Sequence, residues 1–215
     1  NNHIVVTGDD GQEDWVSFAE FVNLAYVNRV SLSTTGFYKT PEIHYDPKAE
    51  RGKPFLYYAF GATCAEVEID TLTGEYKILR ADILHDVGNS LNPAIDIGQV
   101  EGAFVQGTGW LTSEELLWDN QGRLSSASAA TYKIPTSVDI PEVFNVELFD
   151  RPAAADTIYH SKAVGEPPLM HGIAVFCALR DAVASVSDYK VSPQLDTPAT
   201  PERILNAVMA CQAAE

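Results

Sequence analysis

Residues 55–85 read FLYYAFGATCAEVEIDTLTGEYKILRADILH, a pattern that predicts a β-hairpin. Phe55–Asp70 and Glu75–His85 are rich in aromatic and β-branched residues, which favour extended strands. The sequence Asp-Thr-Leu-Thr-Gly at residues 70–74 has the length and composition of a tight turn. The sequence therefore predicts two antiparallel strands joined by this turn.

Helical patterns flank the hairpin on both sides. Helices are predicted at Ser17–Arg29, Ala94–Leu111, Leu169–Val186 and from Pro201 onward. Ser17 and Glu20 have the spacing of a capping box, in which two side chains satisfy backbone N–H groups at the start of a helix. Asn92 suits the cap of the second helix, and Pro93 suits its first position because no N–H is needed there.

Extended and irregular segments complete the pattern. A strand running into a turn is predicted at Asn1–Gly11, a long irregular connection at Ser31–Lys53, and a strand at Val143–Phe149. Helices and strands in this mixed order predict an α+β fold. The chain begins without an initiator methionine, so we expect it to be part of a longer polypeptide.

Composition excludes several classes of function. The 215 residues include 14 Lys and Arg against 30 Asp and Glu, which gives a formal net charge of −16. This charge would repel nucleic acid and anionic membranes, so neither is expected as a partner. No apolar run approaches the roughly 20 residues that cross a bilayer. Three cysteines without a C-x-x-C pair argue against a disulfide framework or a zinc site, and predict a cytoplasmic protein.

A glycine-rich stretch lies inside the second predicted helix. It reads GQVEGAFVQGTG at residues 98–109, and each glycine in a helix interior costs about 1 kcal/mol relative to alanine. For Gly98 and Gly102, close packing of another segment and backbone approach to a ligand both explain the choice. The stretch is not a dinucleotide-binding motif, because the third glycine and a preceding strand are missing.

Glu166 is the acidic residue in a second unusual stretch, SKAVGEPPL at residues 161–169. The two prolines that follow it restrict the backbone just before a predicted helix. One interpretation is an exposed carboxylate that complements the helix dipole and pairs with Lys162. The other is a functional carboxylate held in a fixed place, and the residues alone leave both open.

The remaining reactive side chains show no site pattern. No histidine pairs with another histidine or cysteine at ligand spacing, so the sequence predicts no metal-ligating side chains and treats the histidines as structural or surface residues. Those considered are His44, His85, His160 and His171. Motifs for acyl transfer and nucleotide hydrolysis are also missing from the sequence.

Three motifs together resemble one enzyme family. They are LNPAIDIGQVEG at residues 91–102, TYKIP at 131–135 and SKAVGEPPL at 161–169. The combination resembles the xanthine oxidase family of molybdenum hydroxylases, and in particular the bacterial xanthine dehydrogenases. The resemblance extends over residues 1–215 and implies the C-terminal portion of the molybdenum cofactor-binding domain, a mixed fold incomplete without upstream chain.

The resemblance also implies roles for two residues. Glu166 matches the glutamate that acts in this family as general base toward the hydroxyl ligand of molybdenum. Gln99 matches the glutamine that hydrogen-bonds near the oxo ligand and the pterin of the molybdenum cofactor (molybdopterin). The pterin holds the metal in this family, which agrees with the absence of a ligand pattern among the side chains. The [2Fe-2S] centres and FAD are implied on other domains or subunits.

The function implied by the resemblance is oxidation of hypoxanthine and xanthine to urate in purine catabolism, with water as the oxygen source. Electrons would pass through the iron–sulfur centres and FAD to NAD. The implied partners are the upstream part of the molybdenum subunit and an Fe-S/FAD subunit in a hetero-oligomer, so the chain alone is expected to be inactive. Two alternatives remain open: a related hydroxylase acting on aldehydes or other N-heterocycles, and a non-catalytic scaffold.

Overall fold

A computed structural model of the chain describes residues 2–7 and 9–213 and divides the chain into two compact units, residues 1–40 and 41–215. The first unit contains an antiparallel pair of strands, β1 (His3–Thr7) and β2 (Glu13–Ser17), followed by helix α1 (Phe18–Val27). The strand predicted at Asn1–Gly11 is confirmed by β1, although Asn1 and Gly8 lie outside the described residues. Strand β2 was not predicted.

Helix α1 begins where the capping box predicts. The backbone N–H of Glu20 donates to Ser17 Oγ at 3.2 Å, and the backbone N–H of Ser17 donates to the Glu20 carboxylate at 3.2 Å. These bonds satisfy donors that have no partner inside the first turn of a helix. They also lower the pKa of Glu20, since they favour its charged form.

The second unit is built on a three-stranded sheet. Strands β5 (Gly61–Ile69) and β6 (Tyr76–His85) form the predicted hairpin, and β7 (Val143–Leu148) pairs in parallel with β6. The segment before Gly61, predicted as strand, is irregular and carries several aromatic side chains. The connection predicted at Ser31–Lys53 is not wholly irregular, because it contains a small hairpin, β3 (His44–Asp46) and β4 (Arg51–Lys53).

Three helices form the core together with this sheet. They are α2 (Pro93–Thr112), α3 (Ile173–Ser185) and α4 (Pro201–Ala213). The core contains Ile78, Ala81, Ile83, Val100, Phe104, Val175, Leu179, Val183, Ile204 and Val208. Asn92 caps α2 as predicted, accepting a hydrogen bond from the backbone N–H of Ile95. The predicted α+β fold is confirmed.

A short 3₁₀ turn, Pro167–Gly172, precedes α3 and packs against α2. The predicted Leu169–Val186 helix therefore begins later, at Ile173, with its first residues in the 3₁₀ turn. Gly107 and Gly172 form the contact, since a Cβ on either would overlap the other segment's backbone. This crossing fixes the residue before the turn, Glu166, beside α2.

The structure also bears on disulfides and on membrane-spanning helices. Cys64, Cys177 and Cys211 are all free thiols. Within residues 2–7 and 9–213, no helix combines the length and apolar character needed to cross a membrane.

Candidate functional site

Glu166 lies at an open cleft between α2 and the start of the 3₁₀ turn. The cleft, called here the Glu166 cleft, has a volume of about 760 Å³. Its lining residues are Ala103, Gln106, Ala163, Gly165, Glu166, Pro167, Leu169 and Met170. The Glu166 side chain is exposed, and its carboxylate has no hydrogen-bond or ion-pair partner in the part of the chain that the structure describes. Its acceptor atoms are therefore available to a group outside this chain.

The backbone at Glu166 is fixed on its C-terminal side. Pro168 is fully buried, and the backbone N–H of Leu169 donates to the carbonyl of Glu166 at 3.1 Å. The prolines restrict φ at two consecutive positions. An exposed carboxylate thus stands on a backbone that has little freedom to move.

The interpretation of Glu166 as a partner of Lys162 is wrong. Lys162 Nζ instead forms an ion pair with Asp86 Oδ2 at 2.5 Å, with both side chains almost fully buried. Glu166 is the N-cap of the 3₁₀ turn Pro167–Gly172, which leads directly into α3, but its side chain makes no capping hydrogen bond. The pairing with Lys162 is therefore excluded, whereas the interaction of Glu166 with the helix dipole stays a prediction.

Gln99 is exposed on α2 but does not line the Glu166 cleft. It precedes Gln106 by seven residues, which is close to two helical turns, so both glutamines lie on one face of the helix. The structure therefore places Gln99 on the face that leads to Glu166 without joining the two residues in one pocket. Sequence reasoning missed Gln106, although its spacing from Gln99 was a usable signal.

The glycines beside these residues are not explained by packing within the described chain. At Gly98, Gly102 and Gly165, an added Cβ would meet no atom within 4 Å. No segment of the described chain packs on Gly98 or Gly102, whereas Gly107 is packed. Two unpacked glycines in a helix interior weaken α2, and the open space above their backbone suits the close approach of a bound group.

A second pocket lies under the aromatic segment that precedes β5. It has a volume of about 650 Å³ and contains the side chains of Phe55, Tyr57 and Tyr58 in its wall. Buried His85 lies 2.8 Å from His171, measured from Nδ1 to Nε2. The other ring nitrogen of His171 is hydrogen-bonded to Thr63 Oγ1. The pairing of these two histidines was not predicted, and the buried Nε2 of His85 has no hydrogen-bond partner in the described part of the chain.

No group of three or more His, Cys, Asp or Glu side chains suited to a metal ion occurs among the residues described. Burial, followed by the repulsion of His171, lowers the pKa of His85 to about 4. Burial also lowers the pKa of His171. Both rings are therefore neutral at physiological pH.

This pair predicts acid sensitivity of the fold. The free energy of unfolding is expected to decrease as pH falls from 6.5 towards 4, because unfolded His85 takes up a proton at its ordinary pKa while folded His85 resists protonation. Urea unfolding at several pH values measures this slope. His85→Met should reduce it, whereas replacement of the exposed His44 by Gln should not. An unchanged slope in His85→Met would contradict this account.

Comparison with known proteins assigns the chain to a family. Residues 1–141 match the family model for the molybdopterin cofactor-binding domain. The chain belongs to this family. The open helix face with Gln99 and the unpacked glycines lies within the matched range, whereas Glu166 lies beyond it.

Similar sequences place the chain in the xanthine oxidase family. It is 51% identical over 194 residues to a xanthine dehydrogenase/oxidase of Gallus gallus, covering 89% of this chain and 14% of that protein. It is 46% identical over 198 residues to aldehyde oxidase 2 of Macaca fascicularis, covering 91% of this chain and 14% of that protein. The chain therefore spans about one seventh of the length of these relatives.

A solved structure supports the fold of this family. The chain superimposes on quinoline 2-oxidoreductase from Pseudomonas putida 86 with a TM-score of 0.67 and 27% identity. The match covers 97% of this chain and 25% of that chain. The predicted resemblance to the xanthine oxidase family is thus confirmed, as is the incomplete, mixed character of the fold.

Proposed function

We propose that residues 1–215 are the C-terminal portion of the molybdenum cofactor-binding domain of a cytoplasmic xanthine dehydrogenase. The complete enzyme would oxidise hypoxanthine and xanthine to urate in purine catabolism. The observation that carries the proposal is the Glu166 carboxylate, which stands in an open cleft on a fixed backbone and has no partner among the described residues. A general base needs these two properties: a fixed position and an unoccupied acceptor atom.

The residues present fit the cofactor of this family. Gly98 and Gly102 leave the backbone of α2 open, and the exposed Gln99 between them offers both a hydrogen-bond donor and an acceptor. Gln99 would hold the polar edge of the molybdenum cofactor, and the two glycines would let it approach the helix. When bound, the cofactor supplies the two-electron oxidation and an oxygen atom derived from water.

Glu166 would move the proton in this reaction. One of its carboxylate oxygens would accept the proton of the water-derived hydroxyl group, while the hydrogen and the two electrons of the substrate's C–H bond would be taken up at the cofactor. The backbone fixed by Pro167 and Pro168 keeps the carboxylate in place between turnovers. The chain would thus contribute the catalytic base and part of the cofactor pocket, while residues that select the substrate belong to the upstream part of the molybdenum subunit.

The proposed assembly is a hetero-oligomer. An Fe-S/FAD subunit or domain would take electrons from the molybdenum site and pass them to NAD. Large apolar side chains remain exposed on residues 41–213, and these are surfaces that other parts of the enzyme can cover. They include Phe55, Tyr58, Phe60, Leu91, Ile95, Trp110 and Trp118.

A second candidate is a related hydroxylase that acts on aldehydes or on another N-heterocycle. The 46% identity to an aldehyde oxidase and the likeness to a quinoline oxidoreductase support this second candidate. It would use Glu166 in the same way and differ in the upstream pocket. A non-catalytic scaffold is the alternative of a different class, and it would carry no molybdenum.

The test compares the complete enzyme with the 215-residue chain. The enzyme is expected to contain molybdenum and to oxidise xanthine with incorporation of labelled oxygen from water, whereas the chain alone should contain no molybdenum and show no turnover. Preference for aldehydes would support the second candidate. Absence of molybdenum from the complete protein would support the scaffold, and turnover by the chain alone would contradict the proposed division of the site.

Gln99→Ala in the complete enzyme should remove a hydrogen-bonding partner from a buried cofactor atom. The expected cost is about 1–3 kcal/mol of interaction free energy, with a fall in both turnover and molybdenum content. The control is Gln121→Ala, which alters an exposed turn. Unchanged kinetics with full molybdenum content in Gln99→Ala would remove Gln99 from the cofactor pocket.

Gly98→Ala and Gly102→Ala should each stabilise the 215-residue chain but reduce the molybdenum content of the complete enzyme. In the 215-residue chain, each is expected to raise the free energy of unfolding by up to about 1 kcal/mol, because alanine favours helix and its Cβ meets nothing. In the enzyme, each should lower molybdenum content by blocking the cofactor. Urea unfolding and metal analysis measure the two effects, and full molybdenum content in both variants would count against the proposed approach.

A further inference from the structure

The amino group of Lys162 is enclosed by three segments of the second unit. Its Nζ pairs with Asp86 Oδ2 and donates to the carbonyl oxygen of Tyr58 at 3.0 Å. It also lies 5.2 Å from the centroid of the Phe60 ring, within the range of a cation–π contact. The side chains of Lys162 and Asp86 are only 9% and 12% exposed. The amino group of Lys162 is thus surrounded by contacts with residues of the same chain.

Asp86 is fixed as firmly as its partner. It directly follows β6, and its backbone N–H donates to the carbonyl of Phe60 at 2.8 Å. Its second carboxylate oxygen accepts from the backbone N–H of Gly88 at 2.9 Å. The ion pair therefore ties the residue 162 segment to the end of a central strand of the sheet.

The backbone around Lys162 is tied to the same region. The N–H of Lys162 donates to the carbonyl of Val87 at 2.7 Å, and the N–H of Ala163 donates to the hydroxyl of Tyr57 at 2.8 Å. Glu166 follows four residues after Lys162, and the described structure gives its own side chain no contact that could orient it. The backbone of Glu166 is therefore held by attachments on either side, namely buried Pro168 and the segment at Lys162.

We infer that the buried Lys162–Asp86 ion pair is a positioning device for the Glu166 carboxylate. The inference rests on the proposed function of Glu166 and adds two residues to the machinery of that reaction. Lys162 does not line the Glu166 cleft, so it acts through the backbone and not by contact with substrate or cofactor. A charged pair suits this task because its hydrogen bonds are directional, whereas apolar packing would tolerate sliding of the segment.

The experiment measures turnover, KM and molybdenum content of the complete enzyme carrying Lys162→Met, Lys162→Arg or Asp86→Asn. Displacement of a catalytic group by about 1 Å costs on the order of 10²-fold in rate, so Lys162→Met is expected to lower kcat about 10- to 100-fold. KM and molybdenum content should change little, and Lys162→Arg should recover part of the loss. If Lys162→Met does not accumulate, Asp86→Asn tests the same pair with less change in shape.

The matched control is Lys53→Met, which breaks the exposed ion pair between Lys53 and Glu42. It should leave kcat unchanged. Near-normal kcat in both Lys162→Met and Asp86→Asn would overturn the inference, as would a loss that appears only in molybdenum content.

A combination with Glu166→Gln separates positioning from general damage. If Lys162 acts through Glu166, Lys162→Met should cause little further loss of kcat in the Glu166→Gln enzyme. An equal further loss would overturn the inference and leave the role of Glu166 intact. Near-normal turnover of Glu166→Gln alone would instead refute the proposed function itself.

Discussion

Glu166→Gln in the complete enzyme is expected to lower turnover by about 10²–10⁴-fold, the range of a lost general base. Glutamine keeps the size of the side chain and can still donate and accept hydrogen bonds, but its amide cannot take up the proton. Because no residue of the described chain pairs with Glu166, the substitution should not weaken the fold. Steady-state kinetics together with metal analysis provide the measurement.

The control for this variant is Glu202→Gln, which changes an exposed glutamate in the first turn of α4. It should retain full turnover. Molybdenum content should be equal in the wild-type enzyme and both variants. A Glu166→Gln enzyme with full molybdenum and near-normal turnover would exclude this carboxylate from the mechanism.

Phe104→Ala is expected to lower the free energy of unfolding by about 3–5 kcal/mol, the typical cost of deleting a buried aromatic ring. Phe104 is fully buried on α2, and its ring lies 5.2 Å from that of Phe144 on β7, measured between centroids. Its removal would leave a cavity between the helix and the sheet, at the point where α2 is attached to β7. Urea unfolding of the 215-residue chain measures the effect.

Trp110 gives a control on the same helix, since its side chain is 51% exposed. Trp110→Ala should change the free energy of unfolding by no more than about 0.5 kcal/mol, as is usual for surface positions. Similar losses in the two variants would show that the core does not depend on the Phe104 contact.

The parts of the fold that the sequence predicted depend on neighbouring residues. The hairpin Gly61–His85 and the starts of α1 and α2 are set by local turn and capping chemistry, which the sequence displays directly. The parallel pairing of β7 with β6 depends on residues far apart in the chain, and no local pattern encodes it. The delayed start of α3 reflects packing of the 3₁₀ turn on α2, a tertiary effect.

The candidate site also combines residues that the sequence could indicate with a pairing that it could not. The motif resemblance pointed to Glu166 and Gln99, and the helical period could have added Gln106. The partner of Lys162 could not be predicted, because Asp86 is separated from it by 76 positions and several acidic residues lie nearer in sequence. Burial decides such a pairing, and burial is a property of the assembled fold.

The placement of α4 in the core has a consequence for biosynthesis. Ile204 and Val208 on this helix are fully buried in the core, and the hairpin turn at Gly74 touches the start of the helix at Pro201. The hairpin leaves the ribosome long before α4, so its apolar face remains uncovered while the intervening residues are translated. Contacts of such long sequence separation form slowly, and exposed strands are prone to aggregate in the meantime. The nascent chain is therefore expected to need chaperone protection until α4 has emerged.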